Sequence, residues 1–295
     1  MGGRWGRVLK VARDNSMSRE TQLKLLTVVV VLLSCAAPQT VAAQTTRAGK
    51  KAPGSSAQPS KGKNPATPVA PVVKVGETVE SIYARNLMGM GGFDALSRIK
   101  SHIMRGHVNH SLSPLPGTFE TYYKSPGQMV LVMNTPMGQF IQGFDGRMSW
   151  IQTPGASASL PTKRPVGTLD PASGQMRARQ PGVVYKVKGK TRVGEREADV
   201  LEVTIPGEST SLEYYDSGNG LLLRVDTTYK PPDSSEKIKV DIHFDRYAEV
   251  DGVKVPIKLR YVFQEATLSV NIYEVKHNVA INDALFASPT QASKK

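Results

Sequence analysis

The chain has 295 residues, 39% apolar and 21% charged, which is enough apolar material for a large core and too much for disorder throughout. Its net charge of +13 is lopsided: residues 1–75 hold 12 Lys/Arg against 2 Asp/Glu, and residues 76–295 hold 26 against 23. A nearly neutral body excludes a folded basic face for nucleic acid, and a single cysteine excludes an intrachain disulfide framework and multi-cysteine zinc sites.

In chain order, the first predicted element is an export signal over residues 1–43. Arg19 and Lys24 precede an apolar run from Leu25 to Ala37, shorter than the ~20 residues that span a bilayer. Small residues follow as far as Val41-Ala42-Ala43, the layout of a cleavable leader, and Met17 is an alternative start. Two endings fit. A peptidase cuts after Ala43, or Leu32-Leu33-Ser34-Cys35 acts as a bacterial lipobox and Cys35 carries the lipid that provides membrane contact; as a third reading, Cys35 is one more small residue of the signal core. Residues 44–75 are rich in Ala, Pro, Ser, Thr, Lys and Gly, with too little apolar surface to offset the entropy of ordering, and read as a disordered linker.

A folded domain is predicted over 76–289, with a disordered tail at 290–295. Val79, Ile82, Tyr83 and Leu87 recur at helical spacing behind Glu77 and Glu80, Gly89 and Gly91-Gly92 break the helix, and a short second helix covers Phe93–Ile99. After Ser101 the apolar period becomes two. Ile238, Val240, Ile242 and Phe244 alternate with polar residues, as do Val253, Val255, Ile257, Leu259, Tyr261 and Phe263, and then Leu268, Val270 and Ile272. Further strands are predicted near 102–110, 118–124, 128–135, 138–143, 147–153, 183–190, 198–205, 210–216 and 220–229. Asp145-Gly146, Asp251-Gly252 and Gly218-Asn219-Gly220 supply hairpin turns between runs. A one-faced antiparallel sheet this wide must cover its apolar face. It is expected to curl into a half-open barrel, its concave side covered by the N-terminal helices and the Pro-rich loop Thr153–Pro181.

No catalytic constellation emerges. There is no G-x-S-x-G, and Gly155-Ala156-Ser157 lies in the predicted loop. Asp241-x-His243-x-Asp245 has alternate positions that converge on one strand face, as metal ligands do. A solvated strand face shows the same residues and no second cluster joins them, so no metal and no cofactor is assigned. His102 and His110 share a strand face opposite His107 and read as ordinary surface or barrel positions. Lys186, Lys188, Lys190 and Arg192 share one face if their strand stays regular, and form either a headgroup or acidic-partner contact or an edge-protecting ribbon.

Ile82-Tyr83-Ala84-Arg85, Gly91-Gly92-Phe93-Asp94-Ala95-Leu96, Ile99-Lys100-Ser101, Gly106, Tyr122-Tyr123-Lys124-Ser125-Pro126 and Gly143-Phe144-Asp145-Gly146 with Trp150 occur in the order seen in exported lipoprotein-sorting domains. So do Tyr214-Tyr215-Asp216, Gly220-Leu221-Leu222, the run Tyr247 to Pro256, and the closing Asn278, Ile281-Asn282-Asp283-Ala284-Leu285-Phe286 and Pro289. Over roughly 78–289 the chain resembles the outer-membrane lipoprotein-sorting (LolA/LolB-like) superfamily. The resemblance implies a half-open antiparallel β-barrel of about 11 strands, mainly β with α, around a hydrophobic cavity that takes lipid or lipoprotein acyl chains. The resulting expectation is a non-enzymatic, exported protein of the periplasm or outer membrane whose cavity is lined by Ile238, Val240, Ile242, Phe244, Val255, Ile257, Leu259 and Tyr261. The alternative is an envelope scaffold or sensor that binds a protein partner through the half-barrel.

Overall fold

A computed structural model describes residues 76–111, 113–125, 127–154, 156–160, 182–205, 210–229, 237–263 and 266–288. The predicted leader, Cys35, the linker and the C-terminal tail lie outside the described residues. Helix α1 (Val79–Gly89) starts at a capping box in which Thr78 and Ser81 each accept from the other's backbone N–H, so two orphan donors of the first turn are satisfied. A tight turn through Gly91, whose φ is 118°, leads to the short helix α2 (Gly92–Ser97).

Among the described residues thirteen strands follow: β1 (Ser101–His110), β2 (Ser113–Lys124), β3 (Gln128–Thr135), β4 (Gly138–Phe144), β5 (Ser149–Thr153), β6 (Ala156–Leu160), β7 (Val184–Val193), β8 (Arg196–Thr204), β9 (Thr210–Asp216), β10 (Leu222–Tyr229), β11 (Ile238–Val250), β12 (Val253–Phe263) and β13 (Ala266–His277). They form one open antiparallel sheet in the order β6-β5-β4-β3-β2-β1-β13-β12-β11-β10-β9-β8-β7. Chain neighbours pair throughout, except that β1 pairs β13 while β6 and β7 form the two edges. The predicted turns hold: at the β11–β12 hairpin Asp251 and Gly252 both have positive φ, 53° and 76°, as a two-residue loop that matches strand twist requires.

The strand number exceeds the expected eleven, and one strand stands where a loop is predicted. Ala156–Leu160 of the Thr153–Pro181 segment pairs β5 as β6. Its first four residues alternate alanine with serine and only Leu160 is large, so there is no apolar period to read. Residues 161–181, the rest of that segment, lie outside the described residues.

A single apolar cluster joins α1, α2, β1 to β4 and β8 to β13, with Tyr185 and Val187 of β7 packed against it. Strands far apart in the sheet order share one interior only if the sheet curls, and the two helices lie within that interior. The curl is a half-open barrel. A separate, smaller cluster lies on the other face, where Val130 and Trp150 pack with Phe286 of a 3-10 turn (Asp283–Phe286).

Candidate functional site

The inner face is set by strand parity. Even residues of β11 from Ile238 to Phe244 and odd residues of β12 point inward, so Phe244 stands opposite Leu259 and Ile242 opposite Tyr261; past the register shift at Arg246 it is Tyr247 that packs on the cluster. Of the eight residues expected to line the interior, Val240, Ile242, Phe244, Val255, Leu259 and Tyr261 are buried in the central cluster, and half-buried Ile238 and Ile257 pack against it. The lining extends well beyond these two strands, to Met104, Phe119, Leu131 and Phe140 on one side and Leu201 on the other. α1 closes it with Ile82 and Tyr83.

α1 is seated by close backbone approach. A Cβ on Gly89 would stand 2.1 Å from the carbonyl oxygen of Asn219, and one on Gly220 2.3 Å from that of Arg85. Between them Asn86 Nδ2 donates to the Gly220 carbonyl at 2.8 Å. The turn after α1 rests on the β11–β12 hairpin, where Lys254 N donates to Met90 O at 2.9 Å.

Polar groups gather where α1 meets β7–β9. Buried Glu213 accepts from Tyr215 Oη at 2.7 Å and Tyr83 Oη at 3.4 Å. The Tyr83 ring meets Tyr185 and Tyr215 edge-on, at centroid distances of 5.7 and 5.8 Å. Beside them Arg85 bridges Glu77 and the buried Asp199, each at 2.6 Å, and Lys190 stands 3.7 Å from Asp199. Sequence reasoning missed this group. Its members lie on elements up to 130 residues apart, and each alone reads as a surface charge or a core tyrosine. The interior therefore combines a continuous set of apolar side chains with one polar corner of phenol hydroxyls and a carboxylate.

No family model matches the chain, and no curated protein matches it in sequence. Among solved structures, a LolA superfamily protein from Nitrosomonas europaea superposes with a TM-score of 0.52 at 10% identity, covering 73% of this chain and all of that one. The fold is LolA-like. A DUF1329 family protein from Desulfovibrio piger gives 0.49 at 16% identity, covering 71% of this chain and 97% of its own. A domain from Vibrio parahaemolyticus assigned to outer membrane lipoprotein sorting gives 0.48 at 9% identity, over 74% and 98%.

The outer face of the LolA-like sheet explains the remaining sequence candidates. Asp241 and Asp245 carry no metal geometry: Arg224 takes Asp241 at 3.2 Å and Arg260 takes Asp245 at 2.6 Å. His243 stands between those two arginines in register, and burial followed by their charges pushes its pKa down. Among the described residues no cluster of three or more His, Cys, Asp or Glu is placed to hold a metal ion. The lysine row does not stay regular. A bulge between Val187 and Gly189, whose φ is 103°, shifts the register of β7 on β8. Lys186 and Lys188 stay beside Glu202, with Lys188 paired to it at 3.3 Å, while Lys190 turns to Glu197 and Asp199. The bulge divides the row, and the acids of β8 neutralise much of it. His107 is exposed, whereas His102 is buried and His110 half-buried, as opposite faces of one strand require.

Proposed function

We propose that this chain is a non-catalytic binding module that holds lipid or lipoprotein acyl chains against the inner face of its LolA-like sheet. The observation that carries this reading is the reach of that face: apolar side chains face inward from β1 to β4 and from β8 to β13 and form one continuous interior with the two short helices. A concave, mostly apolar interior with a few polar groups is the kind of site that hydrophobic ligands occupy. The two buried carboxylates beside α1 support binding over hydrolysis, since Asp199 is engaged by Arg85 and Glu213 by phenol hydroxyls.

The protein acts in the cell envelope on this reading, reached through the leader and released after Ala43 or anchored at Cys35. N-terminal sequencing of the envelope form is expected to begin at Gln44 or at a lipidated Cys35. The ligand test is mass spectrometry of the purified protein, run natively and then denatured. A native mass larger by one or more lipids supports the proposal. Equal masses, together with no uptake of a fluorescent fatty acid or phospholipid, make the interior a solid core and overturn it. Leu259→Trp is expected to weaken uptake while the circular dichroism spectrum is kept, because the larger ring fills inner space.

A further inference from the structure

The sheet consists of two meanders, β1–β6 and β7–β13, and among the described strands only the β1–β13 ladder pairs one with the other. At one end of that ladder His102 stands directly opposite His277. Opposed residues of an antiparallel pair project to the same face, with Cβ atoms about 4.5–5.5 Å apart. Both imidazoles are out of water: His102 is 0% exposed, and the side chain of His277 is 1% exposed. The row continues to Tyr123 of β2, which pairs with His102 in register and stacks on its ring at 5.0 Å.

His277 Nδ1 lies 3.1 Å from Asp251 Oδ2, at the β11–β12 turn. The other three ring nitrogens, both of His102 and Nε2 of His277, have no hydrogen-bond partner. Buried polar atoms are nearly always paired, so three orphans at the β1–β13 ladder call for an explanation. Just beyond the pair, Asn278 ties down the same corner: its backbone N donates to Ser101 O at 2.7 Å, and its side chain accepts from Lys100 N at 2.8 Å.

We propose that His102 and His277 form an acid-sensitive catch: protonation in mild acid loosens this end of the β1–β13 seam, so that the half-sheets part and the inner face opens. The titratable groups that face the pair are few. They are the two imidazoles themselves, Tyr123 from β2, and Asp251 from the β11–β12 turn. Asp251 touches His277 alone and is largely in solvent, so it leaves a charge on His102 uncompensated. Burial, and then the neighbouring imidazole, lower the His102 pKa from 6.5 to about 3; burial also lowers that of His277, against the opposite pull of Asp251.

Once the seam opens, both rings return toward an ordinary value near 6.5. The open form therefore binds protons that the closed form refuses. The seam keeps its full stability above about pH 6.5 and loses it progressively as the pH falls from there toward 3. His102 lowers the closed-to-open ratio by up to about tenfold per pH unit across that window, and His277 adds to the loss in the same direction.

Hydrogen exchange of the full chain, corrected for intrinsic rates, tests this between pH 7.5 and pH 5. Amides of residues 101–104 and 274–278 are expected to lose protection below about pH 6.5 while β8 to β10 keep theirs, and binding of an apolar dye is expected to rise in parallel. His102→Phe keeps a ring on Tyr123 and removes one titrating group, so the loss per pH unit is expected to shrink by up to about tenfold. His110 and His243 also have lowered pKa values and serve as controls. The proposal is overturned if wild-type protection at the seam is unchanged at pH 5, if every strand loses protection equally, or if His102→Phe keeps the full pH dependence while His243→Gln removes it. Should His102→Phe fail to fold at pH 7.5, the wild-type pattern still decides: loss confined to the seam supports the catch, and loss centred on β11 overturns it.

Discussion

Gly89 ends α1, yet its larger contribution is the space it leaves, because the β9–β10 turn occupies the place of its missing side chain. Alanine at this position is a better helix former by about 1 kcal/mol, and on propensity alone it would stabilise the protein. The 2.1 Å approach to Asn219 O reverses the sign. Gly89→Ala is expected to lower stability by about 1–3 kcal/mol, the usual penalty of overpacking, read as an earlier urea midpoint; an unchanged or later midpoint would show that the helix shifts freely. Arg85, on the same helix, neutralises a carboxylate that is 1% exposed. Arg85→Ala leaves Asp199 with only Lys190 at 3.7 Å and is expected to cost about 2–3 kcal/mol. In a double-mutant cycle with Asp199→Ala most of that cost should vanish, and simple additivity would disprove the coupling. Neither residue's role can be read from the sequence. The glycine is legible as a helix breaker, but the carbonyl it meets comes from a turn 130 residues away.

At the scale of elements, legibility follows side-chain size. β11, β12 and β13 alternate large apolar with polar residues, and that alternation makes the three strands legible in the sequence. β6 has alanine and serine at every position but Leu160 and is invisible to that pattern, and the β7 bulge depends on register with β8, which no single strand reveals. Two glycines quoted in the family resemblance gain a physical reason here. Phe119 covers Gly106, and Trp150 covers Gly143, each from the directly opposed position on the neighbouring strand. Trp150 is also where the C-terminal segment fastens: its Nε1 donates to Phe286 O at 3.2 Å, and Phe286 is 1% exposed. Phe286→Ala is therefore expected to cost about 3–5 kcal/mol and to shift Trp150 emission to the red. An unmoved emission maximum in the folded variant would mean that the segment does not cover the indole. In a chain that begins at Val75 the signal is unambiguous, because the other tryptophan of the sequence is Trp5.

On the scale of the whole molecule, the strand order makes the connection between β6 and β7 unusual. These strands are consecutive in the chain, yet they form opposite edges of the sheet. Covalent continuity between Leu160 and Val184 thus links two edges that make no ladder with each other, while the half-sheets are held by the β1–β13 ladder and by the core they share. The barrel-like curl was legible as a consequence of one-sided alternation over so many strands, but this division into two meanders was not, since the sequence does not say which strands meet at the middle. A physical consequence follows. If the seam and common core carry the association, the covalent link is dispensable once the protein has folded. A specific protease site placed between Leu160 and Val184 is expected, after cleavage, to leave two fragments that elute together with an unchanged circular dichroism spectrum. Their unfolding midpoint should become dependent on protein concentration, because release of one half from the other is now bimolecular. Fragments that separate on the column at neutral pH would show instead that the connection, and not the seam, keeps the half-sheets together.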